Sequence, residues 1–168
     1  IENIEIKNRN LTILITWKSY SEITYQELMN RFYENDYSPY IQMQFLTPTA
    51  FKQKGKYLFY PDIRCIFQSL MNKYDSAICD ESMMDMDTLE QLTENAHIIR
   101  YDLKSVGFCL EGVKIPAFIG KLTIKMNGTR TMSNFANMLF EFGEYSGVGI
   151  KTALGMGCIK KIDERGRK

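Results

Sequence analysis

HIIRYDLKSVGFCLEGVKIPAFIGKLTIKM, residues 97–126, decides the fold. Ile99, Tyr101 and Leu103 share one strand face, Val106, Phe108 and Leu110 alternate in the opposite phase, and Glu111-Gly112 is the hairpin turn between two long strands. The change of phase predicts a β-bulge near Lys104 and Ser105. On the return strand, 113–126, Leu122, Ile124 and Met126 point one way and Lys121, Thr123 and Lys125 the other. One face of this ribbon is core and the other is cationic.

Upstream, IQMQFL (41–46) alternates as a strand that Pro48 stops, and Pro61-Asp62 opens a helix in which Ile63, Ile66, Phe67, Leu70 and Tyr74 follow a 3.6-residue period. From Asp75 to Glu94 there are seven acidic groups and no basic one, which reads as a solvated insertion around a short helical LEQL. Downstream, Met132, Phe135, Ala136, Leu139 and Phe142 mark a second helix, and CIKKI (158–162) is a last short strand. The order strand, helix, strand, strand, helix, strand gives an α+β fold of the ferredoxin-like βαββαβ kind, an antiparallel sheet with helices on one face. A strand-helix segment precedes it. There LTILITW (11–17) reads as a strand, and Thr24 with Glu27 forms a capping box flanked by Ile23 and Leu28 as a hydrophobic staple. Tyr25, Leu28, Met29 and Phe32 share one face of that helix. The turn-rich ENDYSP (34–39) divides the chain into 1–38, the end of an N-terminal domain or a linking segment, and 39–168, a C-terminal domain.

The 168 residues are 45% hydrophobic and 24% charged, which excludes a collagen, a disordered tail and a disulfide miniprotein. Net charge is +1, yet residues 1–112 carry 11 basic and 16 acidic groups while residues 113–168 carry 10 basic and 4 acidic ones. A polyanion should meet the C-terminal third. Cys65, Cys79, Cys109 and Cys158 lie far apart with a single histidine in the chain, so neither a metal site nor a cofactor is expected, and reduced thiols suit a cytoplasmic protein. No apolar run approaches a membrane span. The chain starts at Ile1 without an initiator Met or a signal pattern, as expected of a piece of a longer protein.

The densest motif is FGEYSGVGIKTALGMGC, 142–158, with Gly143, Gly147, Gly149, Gly155 and Gly157 inside seventeen residues. Glycines admit positive φ and close approach, so successive N–H groups could form an anion nest, with Lys151 and Thr152 adding a cation and a hydroxyl. Walker A and dinucleotide spacings do not fit. In TPTAFKQKGKY (47–57), Lys52, Lys54 and Lys56 alternate, which would aim them the same way, either at phosphates or into water at a hairpin tip. His97 is the lone imidazole and the natural proton carrier near neutral pH, but no acid or lysine stands at a recognisable spacing from it, and the catalytic residues stay unassigned.

The βαββαβ order, the TPTAFK segment after the first strand (Thr47, Pro48, Thr49, Phe51, Lys52) and GVGIKTALGMG before the last (Gly147, Gly149, Lys151, Thr152, Gly155, Gly157) resemble the CRISPR-associated endoribonucleases that process pre-crRNA, members of the repeat-associated mysterious protein (RAMP) superfamily. The similarity runs from about residue 40 to 162. It implies two ferredoxin-like domains, of which this chain supplies the C-terminal one, and metal-independent cleavage of CRISPR repeat RNA by 2′-hydroxyl attack, leaving a 2′,3′-cyclic phosphate. It also implies that the general acid/base sits in the N-terminal domain. The expected RNA contacts are Lys52, Lys54, Lys121 and Lys125 together with the glycine-rich loop. Other effector subunits or a second copy are further possible partners. Two rival readings are a non-catalytic RAMP subunit holding guide RNA, and a ligand-sensing ferredoxin-like domain.

Overall fold

The computed structural model describes residues 3–6, 11–17, 19–78 and 85–162. Its central sheet has four strands, β3 (Tyr40–Thr49), β6 (Ala96–Leu110), β7 (Val113–Met126) and β8 (Ile159–Lys161), in the order β6-β7-β3-β8, all antiparallel. This is the strand order of the ferredoxin-like fold, with the first and third strands of the motif in the middle. Helices α2 (Ile63–Ile78) and α4 (Arg130–Ser146) pack on one face. Ile41, Met43, Phe45, Leu122 and Ile124 from the sheet meet Ile66, Phe67, Leu70, Leu139 and Phe140 from the helices, all at most 2% exposed. Each such burial contributes about 1.5–3 kcal/mol, which is why the helical and strand periods dominate the sequence.

The caps act as the residue types require. In α1 (Tyr25–Glu34) the Thr24 hydroxyl accepts from the Glu27 amide while the Glu27 carboxylate accepts from the Thr24 amide. Leu28 is fully buried and Ile23 packs beside it. Asp62 accepts from the Cys65 amide at 2.8 Å and starts α2. Helix α1 lies against α4, tied by the Asn134 side-chain amide donating to the carbonyls of Phe32 and Asn35. Glu141, also on α4, accepts from Tyr37 at 2.9 Å and pairs with Lys161 at 3.0 Å.

Several expectations need correction. The strand expected over 11–17 is β2, Leu11–Leu14, and its unforeseen partner is β1, Asn3–Ile6. Pro48 does not stop β3, which runs to Thr49. Its register slips between Phe45 and Thr49, so the missing N–H of Pro48 falls where no ladder bond to β7 is required. The acidic stretch is not merely a solvated insertion: α3 (Met86–Asn95) packs on α2, with Leu89 and Leu92 in the core. The bulge in β6 sits at Ile99, between Ile98 and Arg100, not at Lys104 and Ser105. From Arg100 to Leu110 the pairing is continuous, and the phase change has another cause. Beyond Ser105 the ribbon buries its opposite face, where Val106, Phe108, Leu110, Ile115 and Ala117 meet Ala50 and Met156 in a second small core.

Candidate nucleic-acid interface

Cross-strand register decides what the uncovered face of the sheet displays, because directly paired residues project to the same side. On that face His97, Lys125 and Tyr40 form one row across β6, β7 and β3, and Arg100, Thr123 and Gln42 form the next. Asp102, Lys121, Gln44 and Lys160 form a third row across all four strands. Partners within a row sit on strands about 4.8 Å apart, and successive rows are about 6.8 Å apart along the strands. Arg100, Lys121 and Lys160 are exposed, and the Lys125 ammonium lies 5.9 Å from the centre of the Tyr40 ring, within cation–π reach. Gln42 donates to the Thr123 hydroxyl at 3.4 Å. Four cations thus face one acid, Asp102, over these three rows.

This grid contains the expected Lys121 and Lys125, and it adds Arg100 and Lys160, which the sequence reading missed. Arg100 joins His97 only because the bulge at Ile99 shifts the strand by one residue. Lys160 stood in plain view in CIKKI, but its neighbours are set by the pairing of Gln44 with Lys160. His97 has no acid or lysine at a recognisable sequence spacing, but the sheet brings a lysine to it. Lys125 is its direct cross-strand partner, 28 positions away in sequence.

The glycine-rich loop is built differently from an anion nest. The Gly147 amide donates to Gly143, Val148 to the Gly157 carbonyl, Ile150 to the Ala50 carbonyl and Gly157 to the Pro48 carbonyl, at 2.8–3.0 Å. The Gly149 amide donates to the Ser69 hydroxyl at 2.8 Å, and the Cys158 amide to the Thr47 hydroxyl at 2.9 Å. These amides are spent inside the protein, so the expected nest does not form from them. Close backbone packing explains the glycines instead. A Cβ on Gly157 would strike the Val148 carbonyl, and one on Gly149 would strike the Ala50 carbonyl. What the loop offers outward is the exposed Lys151, held at φ +54 as the cap of a short 3-10 turn, Thr152–Leu154. Gly155, at φ +90, closes that turn with open space around it.

The remaining expected lysines lie on the hairpin β4 (Phe51–Gln53) and β5 (Lys56–Leu58), whose turn Lys54-Gly55 has positive φ at both residues. Lys52 pairs with Tyr57 and Gln53 with Lys56, so the two-residue turn puts Lys52 and Lys56 on opposite faces. The expected common aim of the three lysines is therefore corrected. Lys52 lines a cleft of about 290 Å³ between α2 and the loop, together with Gly149, Ser69 and Lys73. The Lys73 ammonium donates to the carbonyls of Ser146 and Gly147 and to the Thr152 hydroxyl, at 3.0–3.2 Å. Burial pulls its pKa down from 10.5 to about 8. This lysine clamps the glycine-rich loop and went unnoticed in the sequence, where it lies within an ordinary amphipathic helix. The expected residues therefore divide between two surfaces, the sheet face (Lys121, Lys125) and the loop with its cleft (Lys52, Gly149, Thr152).

Cys65 is buried and Cys109 and Cys158 are exposed, all unpaired, while Cys79 lies outside the described residues. Burial, with the Asp62 carboxylate beside it, pushes the Cys65 thiol up to about 11, so it stays neutral. Among the described residues no group of three metal-ligating side chains gathers, and no helix is long and apolar enough to cross a membrane.

An α+β chain with this strand order, helices on one side and a cationic open face falls among the ferredoxin-like proteins. It shares its fold with a Cas6 product complex (TM-score 0.70, 24% identity, 79% of this chain and 55% of that one) and with Thermus thermophilus Cas6 (TM-score 0.70, 23% identity, 83% and 58%). The chain belongs to the CRISPR-associated endoribonuclease Cas6 family, whose model matches residues 43–159. It is 42% identical over 144 residues to a CRISPR-associated endoribonuclease Cas6 of Streptococcus thermophilus, covering 86% of this chain and 59% of that protein. It is 34% identical over 146 residues to one of Mycobacterium tuberculosis, covering 87% and 46%. The chain spans about half the length of these relatives.

Proposed function

We propose that this chain is the RNA-holding, C-terminal part of an endoribonuclease that processes CRISPR repeat RNA in the cytoplasm. Residues 1–38 are the end of a preceding domain or the segment linking to it, docked through α1 on α4, and residues 39–168 hold the RNA. The observation that supports this reading is the open sheet face, where Arg100, Lys121, Lys125 and Lys160 oppose only Asp102 across three rows. A surface of this kind attracts a polyanion without needing a metal.

The reaction in this reading is transesterification. The 2′-oxygen bonds to the adjacent phosphorus, the bond from phosphorus to the 5′-oxygen breaks, and the products are a 2′,3′-cyclic phosphate and a 5′-hydroxyl. A base takes the 2′-hydroxyl proton, an acid returns one to the leaving oxygen, and fixed positive charge stabilises the phosphorane. This chain supplies the fixed charge and the grip, and the acid–base pair comes from the rest of the protein. His97, beside Lys125, is a contact residue in this scheme.

The test is repeat RNA incubated in EDTA with this chain, and with the chain extended to the length of its relatives. The expected result is binding without cleavage by the chain and a single cut with a cyclic phosphate end by the extended protein. Failure of the chain to bind RNA at low salt would overturn the assignment of the grip. Cleavage that stops in EDTA would overturn the metal-independent chemistry.

A further inference from the structure

The cleft between α2 and the glycine-rich loop is chemically distinct from the sheet face. Gln68, Ser69, Asn72 and Lys73 form the α2 wall at helical spacing, and Lys52 on β4 closes the other side. Among the described residues the titratable side chains on the lining are Lys52, Lys73 and Cys65, and burial keeps the thiol neutral. The lining holds no carboxylate among the described residues.

Lys73 makes the cleft unusual. Its three donors are filled by neutral acceptors, two carbonyls and a hydroxyl, so its geometry is fixed while its charge is not neutralised by them. Desolvation without an anion is the cause of its lowered pKa. An anion in the cleft would relieve that cost, and suitable donors already face it. Ser69 accepts from the Gly149 amide, which leaves its own proton free to be given. Lys52 rests 5.9 Å from the Tyr57 ring centre on a flexible stem, exposed and able to swing in.

We propose that this cleft seats one phosphate group of the bound RNA, with Lys52 and the Ser69 hydroxyl as direct donors, the Gln68 and Asn72 amides beside them, and the fixed charge of Lys73 behind. The inference rests on the RNA-holding reading and adds to it a second contact point away from the sheet. The ligand is a phosphate group, either an internal phosphodiester or a terminal monoester. About 290 Å³ is ample for the group with its nearest sugar atoms, and too small for a folded hairpin.

The experiment uses the chain as it is and two probes. Inorganic phosphate is titrated while backbone amide NMR signals of α2 and the loop are followed, for the wild type, K52A and K73M. The expected result is saturable shifts at Ser69 and Gly149 in the wild type, weakened in K52A. Repeat RNA carrying a 5′-phosphate or a 5′-hydroxyl is then bound at several salt concentrations. K52A should reduce the salt slope by about 0.7, the share of one single-strand phosphate contact. A preference for the 5′-phosphate that disappears in K52A assigns the terminal group, and equal binding of the two RNAs with the slope still reduced assigns an internal phosphodiester. If K73M does not fold, K52A alone carries the test, because its side chain is exposed. Full RNA affinity and an unchanged slope in K52A, with no phosphate response, would overturn the cleft while leaving the sheet face intact. Phosphate binding in the cleft with no RNA binding by the chain would sink the RNA reading and leave an anion site of another use.

Discussion

Replacing Lys121 and Lys125 by alanine together tests the proposed sheet interface most directly. Arg100, Lys121, Lys125 and Lys160 supply four cations to the three cross-strand rows. For a single-stranded RNA each phosphate they neutralise contributes about 0.7 to the slope of log affinity against log salt, so four give about −2.8. Between 50 and 200 mM salt the sheet face's share of the wild-type affinity should therefore drop about fiftyfold. The double variant, left with two of the four sheet contacts, should show a slope shallower by about 1.4 and a salt-induced drop about sevenfold smaller. Filter binding at five salt concentrations measures both slopes. Lys121 is exposed and Lys125 rests on Tyr40 without an ion pair among the described residues, so the thermal midpoint should move little. A K121R/K125R variant keeps the charge and should keep the slope. If K121A/K125A retains the wild-type slope, the RNA lies elsewhere and the grid is only a solvated face.

Further outcomes follow from single contacts. Gly157→Ala would force a Cβ onto the Val148 carbonyl at a residue whose φ is +71, so it should cost more than about 1 kcal/mol and speed hydrogen exchange at the Val148 amide; unchanged exchange would refute the packing role of that glycine. Burial, with the Glu141 carboxylate adding to it, raises the Tyr37 phenol from 10 to about 12. The unfolded chain loses that proton near pH 10 while the fold keeps it, so the stabilisation is complete below pH 10 and is lost as pH rises toward 12. Tyr37→Phe should flatten the fall of the thermal midpoint over that interval, and an identical fall in both proteins would refute the assignment. Thr24→Ala removes the capping box and should cost about 1 kcal/mol, seen as faster exchange in α1 with the sheet amides unaffected; uniform loosening would show that α1 and the core unfold as one unit.

What the sequence made legible is what local periodicity can carry. The two hairpin strands, the capping box of α1, the start of α2 at Asp62 and the cationic alternation of Lys121, Thr123 and Lys125 were all readable, because residues within a turn or two determine them. The misreadings share a different origin. Leu89 and Leu92 stand three apart on α3, yet seven acidic neighbours masked them, and only the packing against α2 shows that they are core. The phase change after Ser105 looked like a bulge because a strand is ordinarily buried on one side. Its cause is the second small core, assembled from Ala50 and Met156, which come from distant parts of the chain. A glycine announces that something approaches closely or that φ is positive, but not which atom approaches. For Gly149 and Gly157 the neighbour is the protein's own backbone.

That last point changes what the loop can contribute. A nest of free amides would make glycine itself the binding element, and most of the amides around these glycines are committed to Pro48, Ala50, Ser69 and their own loop. The glycines instead let one segment do two things at once. Gly149 forms part of the α2 cleft wall, and eleven residues later Lys160 enters the sheet face beside Gln44. The loop therefore joins the two cationic surfaces around the edge of the sheet, with exposed Lys151 between them. An RNA strand running from Lys125 past Lys121 and Lys160 would meet the loop next and the cleft after it, following lysines rather than amides. Lys73 bears on whether that path is continuous, because it ties the loop's carbonyls to α2, beside the Ser69 hydroxyl that holds the Gly149 amide. In this arrangement the loop is a bridge positioned by a half-buried cation. Its contribution to binding should scale with the charges it carries and positions, and not with the number of its glycines.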